Sequence, residues 1–486
     1  MSTDVRILES VLENIPNLNK LIEEEGLDNV FANHPLDEDV IKYLKDIKPT
    51  DSNSSEFAIF KKVNDIKDLW RLLIEKSINC LRYYDTREPF NETPAKKPHA
   101  YGIEELKKYF DKYTDFESVL YGGSKYYRDH VVHVFRVWLL GLHMLLENEG
   151  YYLKNIIVEK DYDINPLEKL SIWTIIALTH DLGYPLQKAL QVIEKTHDMM
   201  KSFIVNPIIS MDLSFNGVQN SMNDFVLRFI GSKMHKKGDD EQYVARLQPK
   251  YYFKFQKSLE HNAHGVLSAL IIYKMLTFFL ESDYSINEDY VFSKEDSRQF
   301  YIRREILRAI ASHTCHDIYQ LNIFNFSFLL IICDDAQEWG RKSISDLYIE
   351  KGDNYDFIGI QNTFNENGNI CALSDKYEVE KTASLKSILT KFEEQSRTYR
   401  DVFRDGQETN NRNFNFVRQI EIGVKLYPTK NYILKLFVNK NEQTKITANK
   451  ITGEIMNEKE EFCKTLRDVF KEYDITDNHN QIVITL

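Results

Sequence analysis

Histidines and acidic residues are concentrated in the middle of the chain, within apolar segments where polar side chains need partners. Ten of the thirteen histidines fall between residues 130 and 316. Imidazole and carboxylate groups are costly to bury unless they are hydrogen-bonded, ion-paired or bound to a metal. Taken alone, a histidine on an apolar helix is more often a hydrogen-bonded core residue than a metal ligand. Their clustering in several segments, however, indicates a shared metal centre.

The most informative segment places His180 and Asp181 side by side at the end of a helix. Residues 173–178 form an apolar run, Gly183 is a helix-stopping signal, and Pro185 cannot simply continue the same helix. An adjacent imidazole and carboxylate at the end of a buried helix are the kind of pair that a metal ion stabilises. We therefore expect this turn to be the centre of the site.

A second candidate segment, residues 128–144, has the pattern of one continuous helix. Asp129 and His133 are four residues apart and His130 and His133 are three apart, so these side chains share a face. His143 follows ten residues later, about 15 Å further along the helix axis. We expect His133 to face the site and His143 to be a core or rim residue.

Two further segments offer imidazoles. Residues 260–270 begin an apolar helix that carries His261 and His264 three positions apart, and at least one of them is expected to bind metal. His313 ends a helix predicted to begin near residue 303.

The last segment, residues 328–341, inserts Asp334 and Asp335 into an otherwise buried helix. A buried acid needs a partner, and a metal is the simplest one. Asp334 is the preferred ligand, because Gln337 and Arg341 lie on its face of the helix.

The order of these residues, His, His-Asp, His, His, Asp, resembles that of the HD-domain superfamily of metal-dependent phosphohydrolases. The resemblance covers about residues 125–345. It implies a helical-bundle core and a two-metal site. His264 is preferred over His261 as a ligand because Gly265 follows it, which resembles the His-Gly pair of some members of the superfamily. The implied ligands are His133, His180, Asp181 and Asp334 for the minimal site and His264 and His313 for the two-metal subclass.

The resemblance implies hydrolysis of a nucleotide or a related phosphate ester, by a phosphodiesterase or a dNTP triphosphohydrolase. The imidazole-rich ligand set suits Mn, Fe, Co, Ni or Zn better than Mg alone. Two such ions bridged by Asp181 would activate a hydroxide for attack on phosphorus. By position, His130, Arg128 and the lysines near 250–257, Lys257 among them, are expected to steady the phosphate or protonate the leaving oxygen.

The sequence leaves the substrate and two other functions open. Gly183-Tyr184-Pro185-Leu186 stands where dNTP triphosphohydrolases usually have Gly-His and a Pro-Phe run, and the arrangement of cyclic-dinucleotide phosphodiesterases is also absent. One alternative is a di-iron oxygenase with the same ligand order, and another is a non-catalytic nucleotide sensor.

Composition limits the partners. The net charge of −12 argues against a surface for duplex nucleic acid, but a small phosphorylated substrate remains compatible with a local basic patch. Five scattered cysteines without CxxC spacing fit free thiols in a reducing compartment. No leader pattern or membrane-length apolar run is seen, so the sequence predicts a cytoplasmic protein.

The chain is predicted to be mainly α-helical, in three parts. Residues 1–95 form a helical N-terminal region, 96–345 an HD-domain core, and 346–486 a small C-terminal α+β domain that is regulatory or mediates homo-oligomerisation or binding of a protein partner. The C-terminal prediction comprises helices over 385–404 and 454–473 and strands over 417–427, 432–438 and 481–485.

Residues 205–257 are predicted as a less regular insertion. A solvated lid or surface loop is favoured over a lid whose lysines bind phosphate.

Overall fold

A computed structural model describes most of the chain as far as residue 339 and selected strands beyond it. Its described residues are 3–27, 33–47, 63–86, 102–123, 129–156, 162–202, 218–238, 242–281, 285–286, 289–315, 317–318, 323–337, 339, 355–364, 370–379, 388, 415–426, 430–439, 445–449, 474–478 and 481–485.

The described residues are mainly α-helical, as the sequence predicts. The helices are α1 (Thr3–Glu13), α2 (Ile15–Glu24), α3 (Glu38–Asp46), α4 (Val63–Thr86), α5 (Ile103–Gly123), α6 (Val131–Asn155), α7 (Pro166–Thr179), α8 (Tyr184–Met200), α9 (Val218–Ile230), α10 (Pro249–Glu260), α11 (His264–Met275), α12 (Lys294–Ser312) and α13 (Phe326–Ala336). None of the helices in the described ranges is both long and apolar enough to cross a membrane.

Helix α7 lies at the centre of the bundle, and every one of its side chains is buried. The helix begins with a capping box at Asn165. The Asn165 side chain accepts a hydrogen bond from the backbone N–H of Glu168, and the Glu168 carboxylate accepts one from the backbone N–H of Asn165. Helix α6 approaches α7 closely at Gly141, where a Cβ would lie 2.0 Å from the Trp173 ring. Any larger residue at 141 would separate the two helices that carry His133 and the His180-Asp181 pair.

The N-terminal helices pack directly on this centre. The Trp70 indole of α4 donates to the carbonyl of Leu178 at 2.9 Å and stacks on Phe110 of α5 at 4.4 Å between ring centroids. Arg136 of α6 makes two hydrogen bonds to the buried Asp4 carboxylate of α1, at 2.9 and 3.0 Å. One cluster of buried apolar side chains joins these helices to the rest of the bundle. The predicted division at residue 95 stays a prediction, and residues 87–101 around it lie outside the described part of the chain.

The insertion at 205–257 is more regular than predicted. Its described part contains helix α9, helix α10 and, between them, an antiparallel hairpin of β1 (Ser232–Lys236) and β2 (Tyr243–Leu247). The sequence analysis, which predicted a less regular insertion, did not predict this hairpin because each strand has only five residues, too few for a clear apolar alternation. Residues 203–217 lie outside the described part.

The C-terminal region contains a seven-stranded sheet. Strands at 415–426 and 430–439 pair antiparallel where a hairpin is predicted, and the terminal strand at 481–485 is also present. The remaining four strands were not predicted, and both predicted helices lie outside the described residues apart from the buried Ile388. The strands are β3 (Tyr355–Phe364), β4 (Ile370–Val379), β5 (Asn415–Leu426), β6 (Lys430–Asn439), β7 (Lys445–Asn449), β8 (Asp474–Asn478) and β9 (Gln481–Thr485), in the sheet order β3-β4-β5-β6-β7-β9-β8, with only β4 and β5 parallel.

His143 links the bundle to this sheet and is a core residue, as the sequence predicts. It is buried, with Nε2 2.6 Å from the carbonyl oxygen of Ile360 in β3 and Nδ1 2.8 Å from the hydroxyl of Ser10 in α1. Both ring nitrogens therefore have partners far from the His180-Asp181 turn.

Candidate metal centre

Five helices bring six of the predicted ligands to one place. The six are His133 on α6, His180 and Asp181 directly after α7, His264 at the start of α11, His313 directly after α12, and Asp334 near the end of α13. Most of them lie at or next to a helix end, where a side chain can turn into the space between helices without interrupting the backbone hydrogen bonds.

Two glycines allow the helices to approach closely enough. A Cβ on Gly183 would lie 2.4 Å from the carbonyl oxygen of His264, and the Gly183 amide donates to the Ser268 hydroxyl of α11 at 2.7 Å. A Cβ on Gly265 would lie 2.6 Å from the hydroxyl of Thr314, which follows α12. Glycine at these two positions therefore lets α11 contact both the His180-Asp181 turn and the end of α12.

The first half of the site groups two imidazoles with two carboxylates. His133 Nε2 lies 2.8 Å from Asp334 Oδ1 and 3.8 Å from Asp181 Oδ2. His180 Nε2 lies 3.6 Å from Asp181 Oδ2 and 3.9 Å from Asp334 Oδ1. Ligand atoms of His133, His180 and Asp334 thus lie within 4.8 Å of one another, as do those of His180, Asp181 and His313, and a metal ion could be held by groups this close.

The second half uses the other oxygen of the same aspartate. Asp181 Oδ1 lies 3.2 Å from His264 Nε2 and 3.8 Å from His313 Nε2, and these two nitrogens are 3.2 Å apart. The two carboxylate oxygens of Asp181 therefore face different pairs of imidazoles. This is the arrangement that a carboxylate bridging two metal ions requires.

Hydrogen bonds at the remote ring nitrogens fix the orientation of all four imidazoles. The Nδ1 atoms of His180 and His313 lie 2.8 and 2.6 Å from the backbone carbonyl oxygens of Ala177 and Ile310. A carbonyl oxygen only accepts, so Nδ1 of each ring carries the proton and Nε2 presents its lone pair to the site in the neutral ring.

Glutamine side chains play the same part for the other two rings. His264 Nδ1 lies 2.6 Å from Oε1 of Gln187 in α8, and His133 Nδ1 is hydrogen-bonded to Oε1 of Gln337, the residue just after α13. Partners of this kind orient metal-binding histidines and select their tautomer. Gln187 was missed by the sequence analysis, although its position on the helix that starts at Tyr184 is a signal that points toward the site.

The electrostatics of the site favour a bound cation. Both carboxylates are surrounded by histidines, and within the described ranges no lysine or arginine pairs with either of them. Burial alone would raise the pKa of Asp181, but the neighbouring His180, His264 and His313 hold that pKa well below its ordinary value. The site therefore holds the buried negative charge of Asp181 next to the half-buried carboxylate of Asp334.

The pKa values of the imidazoles differ across the site. Burial lowers the pKa of His180 to about 4 and also lowers that of His264, so both rings are neutral at pH 7. Burial acts in the same direction on His313, but Asp181 and Asp334 outweigh it and raise its pKa. The His180 Nε2 atom is buried, and it has no hydrogen-bond partner among the described residues. A buried neutral imidazole nitrogen of this kind could bind a metal ion.

The other predicted site residues have different positions. His261 is exposed at the end of α10. Lys257 is also exposed and forms an ion pair with Asp317 at 2.8 Å. Asp335 is half-buried beside Asp334, but in the described chain only Asp334 belongs to the converging groups. Arg128 lies outside the described residues.

His130 lies beside the converging ligands. It is buried directly before α6, with its ring stacked on Tyr184 at 3.7 Å between centroids. Tyr184 also contacts the His264 ring edge to face at 5.2 Å, and the Lys188 ammonium group lies 5.1 Å from the centre of the Tyr184 ring. The sequence analysis noted Tyr184 only as a departure from known patterns and missed Lys188.

Comparisons of the chain with protein-family models, with curated proteins and with solved structures find no match.

Proposed function

We propose that the chain is a two-metal phosphohydrolase of the HD-domain type that acts on a nucleotide or a related phosphate ester. The observation that carries this proposal is the division of Asp181, whose Oδ2 faces His133 and His180 while Oδ1 faces His264 and His313. A purely structural aspartate would need one partner for its charge. Four imidazoles arranged around its two oxygens match a bridging ligand instead.

The donor set indicates which ions would fit. His133, His180, Asp181 and Asp334 would hold one ion, and Asp181, His264 and His313 the other. Neutral imidazole with carboxylate suits Mn, Fe, Co, Ni or Zn. When bound, such ions would supply positive charge next to the reacting phosphate and lower the pKa of a water molecule there.

The residues of the chain would position the reaction. Gln187 and Gln337 hold the His264 and His133 rings in place, so the ligand geometry exists before substrate arrives. His130 and Tyr184 form a stacked pair next to His264, where they would contact the substrate and deliver a proton to the leaving oxygen. Lys188, whose ammonium group lies 5.1 Å from the centre of the Tyr184 ring, would steady the phosphate. Lys257 is less suitable for this role because it pairs with Asp317.

The test uses the full chain, stripped of metal and reloaded separately with each candidate ion. A panel of nucleotides is then incubated with each form, and released phosphate and nucleoside products are identified by mass spectrometry. We expect turnover with at least one transition metal and a loss of about 100-fold or more in Asp181→Ala, because removal of a ligand should exceed the 10–100-fold effect typical of its supporting shell.

The matched control is His197→Ala, which removes a half-exposed histidine of α8 that approaches Asp198 rather than the site. Its turnover should equal that of the unmodified protein. Full activity in Asp181→Ala would refute the proposal. Oxygen consumption that requires iron would identify an oxygenase instead, and nucleotide binding without any product would identify a sensor.

A further inference from the structure

A cavity of about 230 Å³ lies between helices α8, α9 and α11, next to the candidate metal centre. Its walls are apolar and include Leu186 from α8 and Leu267, Ile271 and Tyr273 from α11. Small-molecule pockets commonly measure about 300–1,000 Å³. This cavity therefore suits one ring system rather than a whole nucleotide.

The amide nitrogen of one polar side chain in the wall has no hydrogen-bond partner among the described residues. Asn223 of α9 is only 8% exposed, and its amide nitrogen makes no hydrogen bond with the described part of the chain. A buried amide without a partner costs about 1–3 kcal/mol, so such a group calls for an explanation. A ligand in the cavity that accepts a hydrogen bond from Asn223 would provide one.

The cavity begins one helical turn from the predicted metal ligands. Leu267 follows His264 by three residues on α11, and its Cβ lies 2.7 Å from where a Cβ of Gly183 would stand. Leu186 is two residues after Tyr184, whose ring contacts His264. Further along α11, the exposed Lys274 lies at the other end of the cavity wall. A compound in the cavity would thus be close enough to place an attached phosphate at the metal centre.

We propose that this cavity binds the nucleobase of the substrate, and that Asn223 recognises adenine. The inference rests on the proposed function and specifies its substrate. Apolar walls cover the two faces of a flat uncharged ring, while an asparagine amide pairs with the N6 amino group and N7 of adenine, its usual complement. Lys274 is the one charged side chain among the described residues of the cavity wall, and it lies at the end of α11 away from His264. The rest of this wall offers a phosphate no charged partner, so the phosphate would lie at the metal ligands.

The experiment measures binding of adenosine to the metal-free full chain by calorimetry. Adenosine carries no phosphate, so its binding does not depend on the metal site. We expect Asn223→Leu to weaken binding about tenfold or more, as loss of a paired base contact does. Ile271→Trp, which fills the cavity, should abolish binding. The matched control is Asn220→Leu, an exposed asparagine on the same helix, which should bind like the unmodified protein.

Thermal unfolding separates loss of the site from loss of the fold. Asn223→Leu replaces an unsatisfied buried amide by an apolar side chain of similar size, so its melting temperature should be unchanged or higher. The inference is wrong if adenosine does not bind, or if Asn223→Leu and Ile271→Trp, both folded, bind it as well as the unmodified protein does.

A second substrate distinguishes this failure from failure of the proposed function. Bis(4-nitrophenyl) phosphate contains a phosphodiester without a nucleobase, and its hydrolysis by the metal-loaded chain tests the metal centre alone. Hydrolysis without adenosine binding would leave the proposed function intact and overturn the nucleobase site. Adenosine binding that depends on Asn223, without hydrolysis of any phosphate ester, would support the site and contradict the proposed function.

Discussion

Two buried polar clusters lie within the same helical bundle and differ in how their charges are balanced. In one, Arg298 and Arg303 of α12 pair with Asp85 of α4 and Glu168 of α7. Two cations there face two acids, and Arg303 further donates to the Phe278 carbonyl at 2.8 Å. In the candidate metal centre, two carboxylates face only imidazoles.

The difference indicates which of the two clusters the folded chain completes by itself. The arginine cluster matches two guanidinium groups with two carboxyl groups and joins three helices. In the candidate metal centre, no lysine or arginine of the described residues pairs with either carboxylate, and His180 Nε2 has no hydrogen-bond partner among those residues. A cluster that the chain leaves incomplete is the one to which a ligand is expected to bind.

The largest expected effect tests the structural cluster. Asp85→Ala leaves the guanidinium of Arg303, which is 2% exposed, without its carboxylate. Loss of one partner from a buried pair costs about 3–5 kcal/mol, and urea unfolding should show a decrease of this size in the free energy of unfolding.

The matched control for that variant is Asp68→Ala on the same helix. Asp68 is mostly exposed and lies 3.8 Å from Lys107, so its removal should cost no more than about 1 kcal/mol. Equal effects of the two substitutions would show that the arginine cluster does not depend on the balance of its charges.

The second prediction concerns the pH dependence of that cluster. Burial raises the pKa of Glu168 from 4.5 to about 7, despite the opposing effect of Arg298. Between pH 4.5 and 7 the unfolded chain releases this proton while the folded chain keeps it, so the contribution of Glu168 to stability falls as the pH rises. The decrease should approach about 3 kcal/mol, at 1.36 kcal/mol for each pKa unit.

Glu168→Gln should remove this dependence, since glutamine does not titrate. Chemical unfolding at pH 5 and pH 8 should therefore show that the stability advantage of the unmodified protein over Glu168→Gln shrinks at the higher pH. Parallel pH profiles for the two proteins would contradict the raised pKa.

The third prediction concerns the stabilisation of the folded chain by a metal ion bound at the candidate metal centre. At a Mn²⁺ concentration 100 times the dissociation constant, binding to the folded state alone raises the free energy of unfolding by about 2.7 kcal/mol. Differential scanning calorimetry of the metal-free protein with and without Mn²⁺ measures this effect. His313→Ala should lower the gain, because it removes a ligand from the second half of the site. An undiminished gain in His313→Ala would place the ion elsewhere.

The smallest expected effect is that of a supporting residue. Gln187→Leu removes the hydrogen bond that orients His264, and metal affinity measured by calorimetry should fall about 10–100-fold. Gln256→Leu is the control, because that half-buried glutamine of α10 makes a hydrogen bond to Glu260 instead. Equal affinities for both variants would mean that the orientation of His264 does not depend on Gln187.

Local sequence patterns are sufficient to predict the helices and the order of the ligand segments. Helical periodicity and the stop signals at Gly183 and Pro185 identify the elements, and side chains at helix ends are natural candidates for a shared site. The sequence analysis preferred His264 to His261 as the metal ligand because Gly265 follows it. The structure adds its physical reason, since Gly265 allows α11 to contact the residues that follow α12.

Features that depend on contacts between distant segments were not predictable in this way. The hydrogen bond from Gln187 to His264 and the stacking of Tyr184 on His130 join residues of different helices, and no local pattern encodes such pairs. The hairpin at 232–247 was missed for a local reason, because each of its strands has only five residues, too few for a clear apolar alternation.

The most direct test of the two-metal site is anomalous diffraction from crystals of the Mn²⁺-loaded full chain. The account predicts two anomalous peaks about 3.5–4 Å apart, as in other two-metal sites, one on each side of the Asp181 carboxylate. The ion at one peak should be bound by His133, His180 and Asp334, and the ion at the other peak by His264 and His313. If such crystals diffract but show no anomalous peak at Asp181, the two-metal site is contradicted.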